Sequence, residues 1–105
     1  MIQLVDTLEV RPEHVDDYLD LVRGVGMAVM TEAGATFVSC ATTSGEIGEP
    51  VQVQVVWAFD DHVHWNEIRR NLVLDPRWYE YGAQGARLRL GGTRRFYTPT
   101  SLAPR

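Results

Sequence analysis

Glu13-His14-Val15 and Asp61-His62-Val63 stand 48 residues apart, and each triplet opens a helix-patterned segment directly after a strand-patterned one. This echo is a pseudo-repeat of the architecture, and two strand–helix units in succession leave few ways of sharing one sheet. Residues 2–10, IQLVDTLEV, read as a strand from their branched apolar residues. Pro12 follows at a first helical position, where its missing N–H costs nothing. Val15, Tyr18, Leu19, Val22, Val25, Val29 and Met30 then recur at helical spacing, and Gly34 supplies the C-cap. Gly24 and Gly26 inside that helix predict a kink or a close approach to a neighbour, each costing up to about 1 kcal/mol against Ala.

The second half repeats the plan. Residues 35–43 form a second strand, 44–50 (SGEIGEP) carry hairpin turn chemistry, and 51–59 (VQVQVVWAF) form the strongest strand. Asp60 or Asp61 caps the next helix, which Asp75-Pro76 restarts with an N-cap and a first-turn proline. Trp78, Tyr81, Gly82, Gly85 and Leu88 then share one face. Gly91-Gly92 is expected to end this helix, residues 93–98 (TRRFYT) to form the last strand, and the tail to be irregular. The order is β-α-β-β-α-β with the second helix broken in two. It is the ferredoxin-like α+β pattern, a four-stranded antiparallel sheet built from a split βαβ unit. At 105 residues the chain makes one domain, 1–105.

Composition narrows the function. The net charge of −4 argues against a nucleic-acid partner. All ten basic residues are Arg, which excludes Schiff-base chemistry and a P-loop lysine. Cys40, alone, permits no internal disulfide, and no apolar run approaches the ~18 residues of a membrane span. A cytoplasmic location is expected. Gly24-Val25-Gly26 lies within a helix rather than after a strand, so it is no dinucleotide fingerprint, and no His–carboxylate spacing builds a metal site. Neither cofactor nor metal is expected.

Both faces of the sheet carry apolar area. The third strand sets Val51, Val53, Val55 and Trp57 against Gln52, Gln54, Val56 and Ala58; the first sets Ile2, Leu4, Asp6 and Leu8 against Gln3, Val5, Thr7 and Glu9. Helices cover one face, and a twofold homodimer packing sheet on sheet would cover the other.

Residues 57–78, WAFDDHVHWNEIRRNLVLDPRW, resemble the NIPSNAP family of the dimeric α/β-barrel superfamily. The matching positions are Trp57, Asp60, Arg69, Arg70, Leu72, Asp75, Pro76 and Trp78, joined by Arg95-Phe96-Tyr97-Thr98-Pro99 near the C-terminus. The resemblance covers essentially the whole chain. It implies a ferredoxin-like subunit that dimerises through its sheet into a barrel, with a pocket between its own sheet and helices. Members of the superfamily include cofactor-independent monooxygenases, polyketide cyclases, lactone isomerases and haem-handling enzymes. No shared catalytic set comes with the family, and the sequence departs from its usual pattern at His62, His64 and Trp65.

The candidate chemistry follows from the residues. His14, His62 and His64 are the side chains that titrate near neutrality. His62 and His64 lie about 200° apart around a helix and cannot jointly clasp one metal. His64 borders the stripe of Trp65, Ile68 and Leu72. It is either a general acid or base in a pocket, or a helix-start histidine hydrogen-bonded to water or backbone. Asp6 lies amid apolar residues on a central strand, either as a base or in a dimer-interface hydrogen bond to Arg94, Arg95 or a glutamine. Trp57, Trp65, Trp78, Tyr18, Tyr79 and Tyr81 either fill the core or line a cavity for a flat aromatic ligand; the core suits Trp78 better, and the cavity suits Trp57 and Trp65. Arg69 either grips a substrate carboxylate or pairs at the surface. The expected function is that of a small-molecule enzyme without bound cofactor, acting on an aromatic or polyketide-like substrate by cyclisation, isomerisation or oxygenation. His64, Asp6 and His14 would be its catalytic residues, and Trp57, Trp65, Tyr18, Arg69 and His62 would bind the substrate. The alternatives are a non-catalytic dimeric binding module and a haem-binding or haem-degrading protein.

Overall fold

A computed structural model describes residues 1–44 and 47–103. Strands β1 (Ile2–Val10), β2 (Thr36–Thr42), β3 (Val51–Phe59) and β4 (Arg89–Tyr97) form one antiparallel sheet in the order β2-β3-β1-β4. The two most β-branched segments, β1 and β3, take the centre, where a strand is paired along both edges and packed on its side chains. Helices α1 (Val15–Leu21) and α2 (Met27–Ala33) connect β1 to β2, and α3 (His62–Val73) and α4 (Pro76–Leu88) connect β3 to β4. This is the expected ferredoxin-like α+β architecture. Leu4, Val10, Val53, Val55 and Trp57 of the sheet meet Tyr18, Val22, Val29, Met30, Ile68 and Leu72 of the helices in one core. The shortest dimension is 18 Å, the depth of one helical layer on one sheet, and among the described residues no helix or strand lies over the sheet's other face. Among the described residues no helix is long and apolar enough to cross a membrane.

The glycines of the first helix act as the sequence suggested. α1 and α2 run on through a π-helical turn, Val22–Gly26, which inserts an extra residue into the ladder. Gly26 is buried there, and a Cβ on it would stand 2.8 Å from the Tyr81 ring. Gly34 ends α2 at φ 117°, a conformation that favours glycine. At the second helix the cap is Asp61, whose carboxylate accepts the His64 N–H at 2.8 Å. Asp75 caps the restart by accepting the Arg77 N–H at 2.9 Å. The Arg77 guanidinium bridges Asp75 and Glu32, tying this junction to α2.

β4 corrects the expected helix end. The strand begins at Arg89 and runs through Gly91-Gly92 instead of following it. Gly92 pairs with Leu8, and a Cβ there would lie 2.6 Å from Leu8 Cδ2 and 3.0 Å from the Thr7 carbonyl oxygen. The glycine thus admits a close strand approach rather than stopping a helix. A register shift between Glu9 and Val10 then brings Arg89 opposite Val10. Of the expected hairpin turn, Gly45 and Glu46 lie outside the described residues, as do Pro104 and Arg105 of the tail.

Candidate functional site

Asp6 interrupts the apolar, helix-facing side of β1 at mid-strand. A carboxylate in that position needs a partner, and the register supplies Arg94 directly opposite on β4. Arg94 Nε donates to Oδ1 at 2.7 Å and Nη2 to Oδ2 at 3.1 Å, a two-pronged charge-assisted pair. The Asp6 side chain is 17% exposed and that of Arg94 41%, so the pair opens to one side. The Arg94 guanidinium carbon lies 5.9 Å from the Trp78 ring centroid, within cation–π range.

The rest of the site hangs over this pair. Tyr18 comes from α1, Trp78 and Tyr81 from α4, and Arg89 from the first position of β4; with Asp6 and Arg94 they line a cavity of about 320 Å³ between sheet and helices. Two glycines set the geometry. Gly26 leaves the space that the Tyr81 ring occupies, and buried Gly85 lets the helix lie against Tyr18 and Arg89 Nη1, which a Cβ would meet at 3.7 and 3.0 Å. Burial, followed by the negative charge of Asp6, raises the Tyr18 phenol above its ordinary pKa despite Arg89. Burial likewise raises the Tyr81 phenol, helped by Tyr18 and Asp6. Both phenols therefore remain protonated donors at neutral pH. Burial works most strongly on Arg94, against its charge, but the hydrogen bonds and negative charge of Asp6, with smaller help from Tyr81 and Tyr18, together outweigh it and hold the guanidinium protonated. The cavity combines an aromatic wall, two O–H donors, a paired carboxylate with lone pairs to spare, and a second guanidinium.

The structure brings two of the sequence-derived site residues, Asp6 and Tyr18, into this cavity and sends the others elsewhere. Trp57 is 1% exposed, packed edge-on to Phe37 within the core, and Trp65 stacks on Phe59 at 5.3 Å. The expected aromatic sandwich around a ligand is corrected at both positions: the α3 side chains that face the sheet are packed solid, with Ile68 and Leu72 beside them. His64 follows its backbone alternative. Its Nδ1 accepts the Asp60 N–H at 2.9 Å, and its Nε2 lies near Gly34, where a Cβ would meet it at 3.3 Å. His62 is exposed beside Phe96, ring centroids 6.1 Å apart. Arg69 is exposed on the outer side of α3 with Asn66 and Arg70, and His14 closes the turn before α1. Among the described residues no three His, Cys, Asp or Glu side chains converge as metal ligands.

The sequence favoured the core for Trp78, left Tyr81 open between core and cavity, named Arg94 only as a partner for Asp6, and gave no role to Arg89. The available signal was Asp6 itself: a carboxylate within an apolar stripe implies that the neighbouring strand and helix carry something to meet it.

Together these features define a ferredoxin-like α+β domain with a ligand-sized pocket between its sheet and its helices. The chain belongs to the NIPSNAP family, whose family model matches residues 4–104. It is similar to a NIPSNAP domain protein from Burkholderia xenovorans, at 23% identity and a TM-score of 0.81 over 100% of both chains. It is also similar to a NIPSNAP family protein from Agrobacterium tumefaciens, at 25% identity and a TM-score of 0.79 over 98% of this chain and 96% of the other. SnoaB, a cofactor-independent oxygenase from Streptomyces nogalater, shares the fold at 15% identity and a TM-score of 0.62, over 99% of this chain and 97% of its own. No curated protein matches the chain.

Proposed function

We propose that this protein is a cofactor-independent acid–base enzyme acting on an aromatic or polyketide-like small molecule in the cavity over β1 and β4. The observation that carries this is the juxtaposition of the Asp6 carboxylate with two protonated phenols, Tyr18 and Tyr81, around one ligand-sized space. In the reaction, an Asp6 oxygen takes a proton from carbon next to a substrate carbonyl. The electron pair moves into the carbonyl, and the resulting enolate oxygen accepts hydrogen bonds from Tyr18 and Tyr81. Asp6 then returns the proton to another carbon, completing an isomerisation, or the enolate carbon attacks a second carbonyl within the same molecule, closing a ring, and the alkoxide so formed takes the proton back from Asp6. Arg94 holds Asp6 in place, and Trp78 supplies a flat wall for the substrate ring.

The test follows α-proton exchange in D2O by NMR, using aryl ketones such as α-tetralone and 4-acetylbenzoate. The wild-type protein accelerates exchange, and Asp6→Asn lowers the acceleration by about 100-fold or more. Ligand binding without exchange would contradict the enzyme reading and leave a binding module. The fold shared with SnoaB favours a second reading, in which the same pocket presents an electron-rich phenolate to dioxygen. Dioxygen uptake on a phenolic substrate separates the two.

The uncovered sheet face is the proposed contact with a second copy in a cytoplasmic homodimer. Its support is a shallow hollow of about 230 Å³ lined by Val5, Thr7, Thr93, Arg95 and Tyr97, on a face that no element among the described residues covers.

A further inference from the structure

The cavity's charges do not cancel. β1 contributes one negative charge, Asp6, and Arg94 of β4 meets it with both prongs. β4 contributes a second guanidinium, Arg89, which has no carboxylate partner among the described residues. The helices add no charge to the lining at neutral pH, since α1 and α4 present the protonated phenols of Tyr18 and Tyr81. The cavity is therefore one positive charge in excess within a chain whose net charge is −4. It is also rich in donors, with an indole face beside them.

From this we infer that the substrate is a monoanion, a flat aromatic molecule bearing a carboxylate or comparably acidic oxygen, and that Arg89 determines this specificity. The inference rests on the proposed acid–base reading for the identity of the site. Arg89 is aimed by its surroundings: Gly85 leaves the space in which Nη1 lies against α4 beside Tyr18. An anion held by Arg89 and the Tyr18 hydroxyl would lay its ring toward Trp78, with its reactive carbon toward Asp6. A neutral molecule of the same shape would leave the guanidinium unmatched, and a cation would meet it head-on.

Equilibrium dialysis with 2-naphthoate and its neutral isostere 2-naphthamide tests the point on the wild-type protein. The carboxylate binds about tenfold or more tightly than the amide, because a charge-assisted hydrogen bond is worth that much in affinity. Arg89→Gln reduces the preference to within about twofold by weakening naphthoate alone. Gly85→Ala, whose new methyl displaces the guanidinium without removing its charge, weakens naphthoate more than naphthamide. Equal affinity for the two probes, an undiminished preference in Arg89→Gln, or retention of neither probe would each overturn the inference. The two proposals fail separately. Absent proton exchange with the charge preference intact contradicts the acid–base reading alone; intact exchange with no preference for the anion contradicts the present one alone.

Discussion

Asp6 and Arg94 show how one polar residue can organise an otherwise apolar strand face. The pair is only partly exposed, and removing one partner leaves the other's charge without its match. Asp6→Ala therefore costs about 1–3 kcal/mol in urea unfolding, and Asp6→Asn, which keeps an acceptor for Arg94, costs less. His64 belongs to a different part of the molecule. Its Nδ1 accepts the Asp60 N–H at the start of α3, so His64→Ala destabilises the protein by roughly 1 kcal/mol, in the range of a lost helix cap, and leaves α-proton exchange unchanged. The two phenols give a pH dependence. Their folded-state pKa values lie above the ordinary 10.0, so the unfolded chain releases these protons first as pH rises. Stability is unaffected by them below that ordinary value and falls as pH climbs from there through the folded-state values. Tyr18→Phe and Tyr81→Phe should flatten the fall above pH 10, read from alkaline unfolding curves; an unchanged slope would contradict it.

Among the elements, the π turn in the first helix and the glycine run in β4 both serve the cavity. Gly26→Ala sets a methyl against the Tyr81 ring, costing about 1–3 kcal/mol and weakening ligand binding as the phenol moves. Gly24 has open space around it, so Gly24→Ala stabilises the helix by up to about 1 kcal/mol with binding unchanged. Thermal unfolding of the two variants should move in opposite directions. The elements themselves were largely legible from sequence: the limits of β1 and β3 follow from alternation and branched residues, and Asp75-Pro76 marks the break between α3 and α4. The start of β4 was not, because a Gly-Gly pair carries the same local signal whether it ends a helix or admits a neighbouring strand. The site was legible in part for a related reason. Asp6 and Tyr18 stand out from their own segments, but Arg89, Trp78 and Tyr81 join them only through the cross-strand register and the docking of α4. His64, Trp57 and Trp65 cluster along the chain, yet packing turns the two indoles into the core and the imidazole into a cap.

At the scale of the whole molecule, one helical layer on one sheet leaves a mixed apolar face bare. A homodimer would cover it, so light scattering should give twice the chain mass of 11.9 kDa. Val5→Glu, at the middle of that face, should yield a monomer with its core intact; a monomeric wild-type protein would contradict the dimer. The central claim concerns the opposite face, where the cavity over β1 and β4, and not the surroundings of α3, is the functional site. Amide chemical-shift perturbation during titration with 2-naphthoate tests it most directly. The account predicts that Gly82, Arg89, Gly92 and Arg94 shift while His64, Trp65 and Asn66 stay still. Shifts confined to α3, with the cavity amides unmoved, would contradict it.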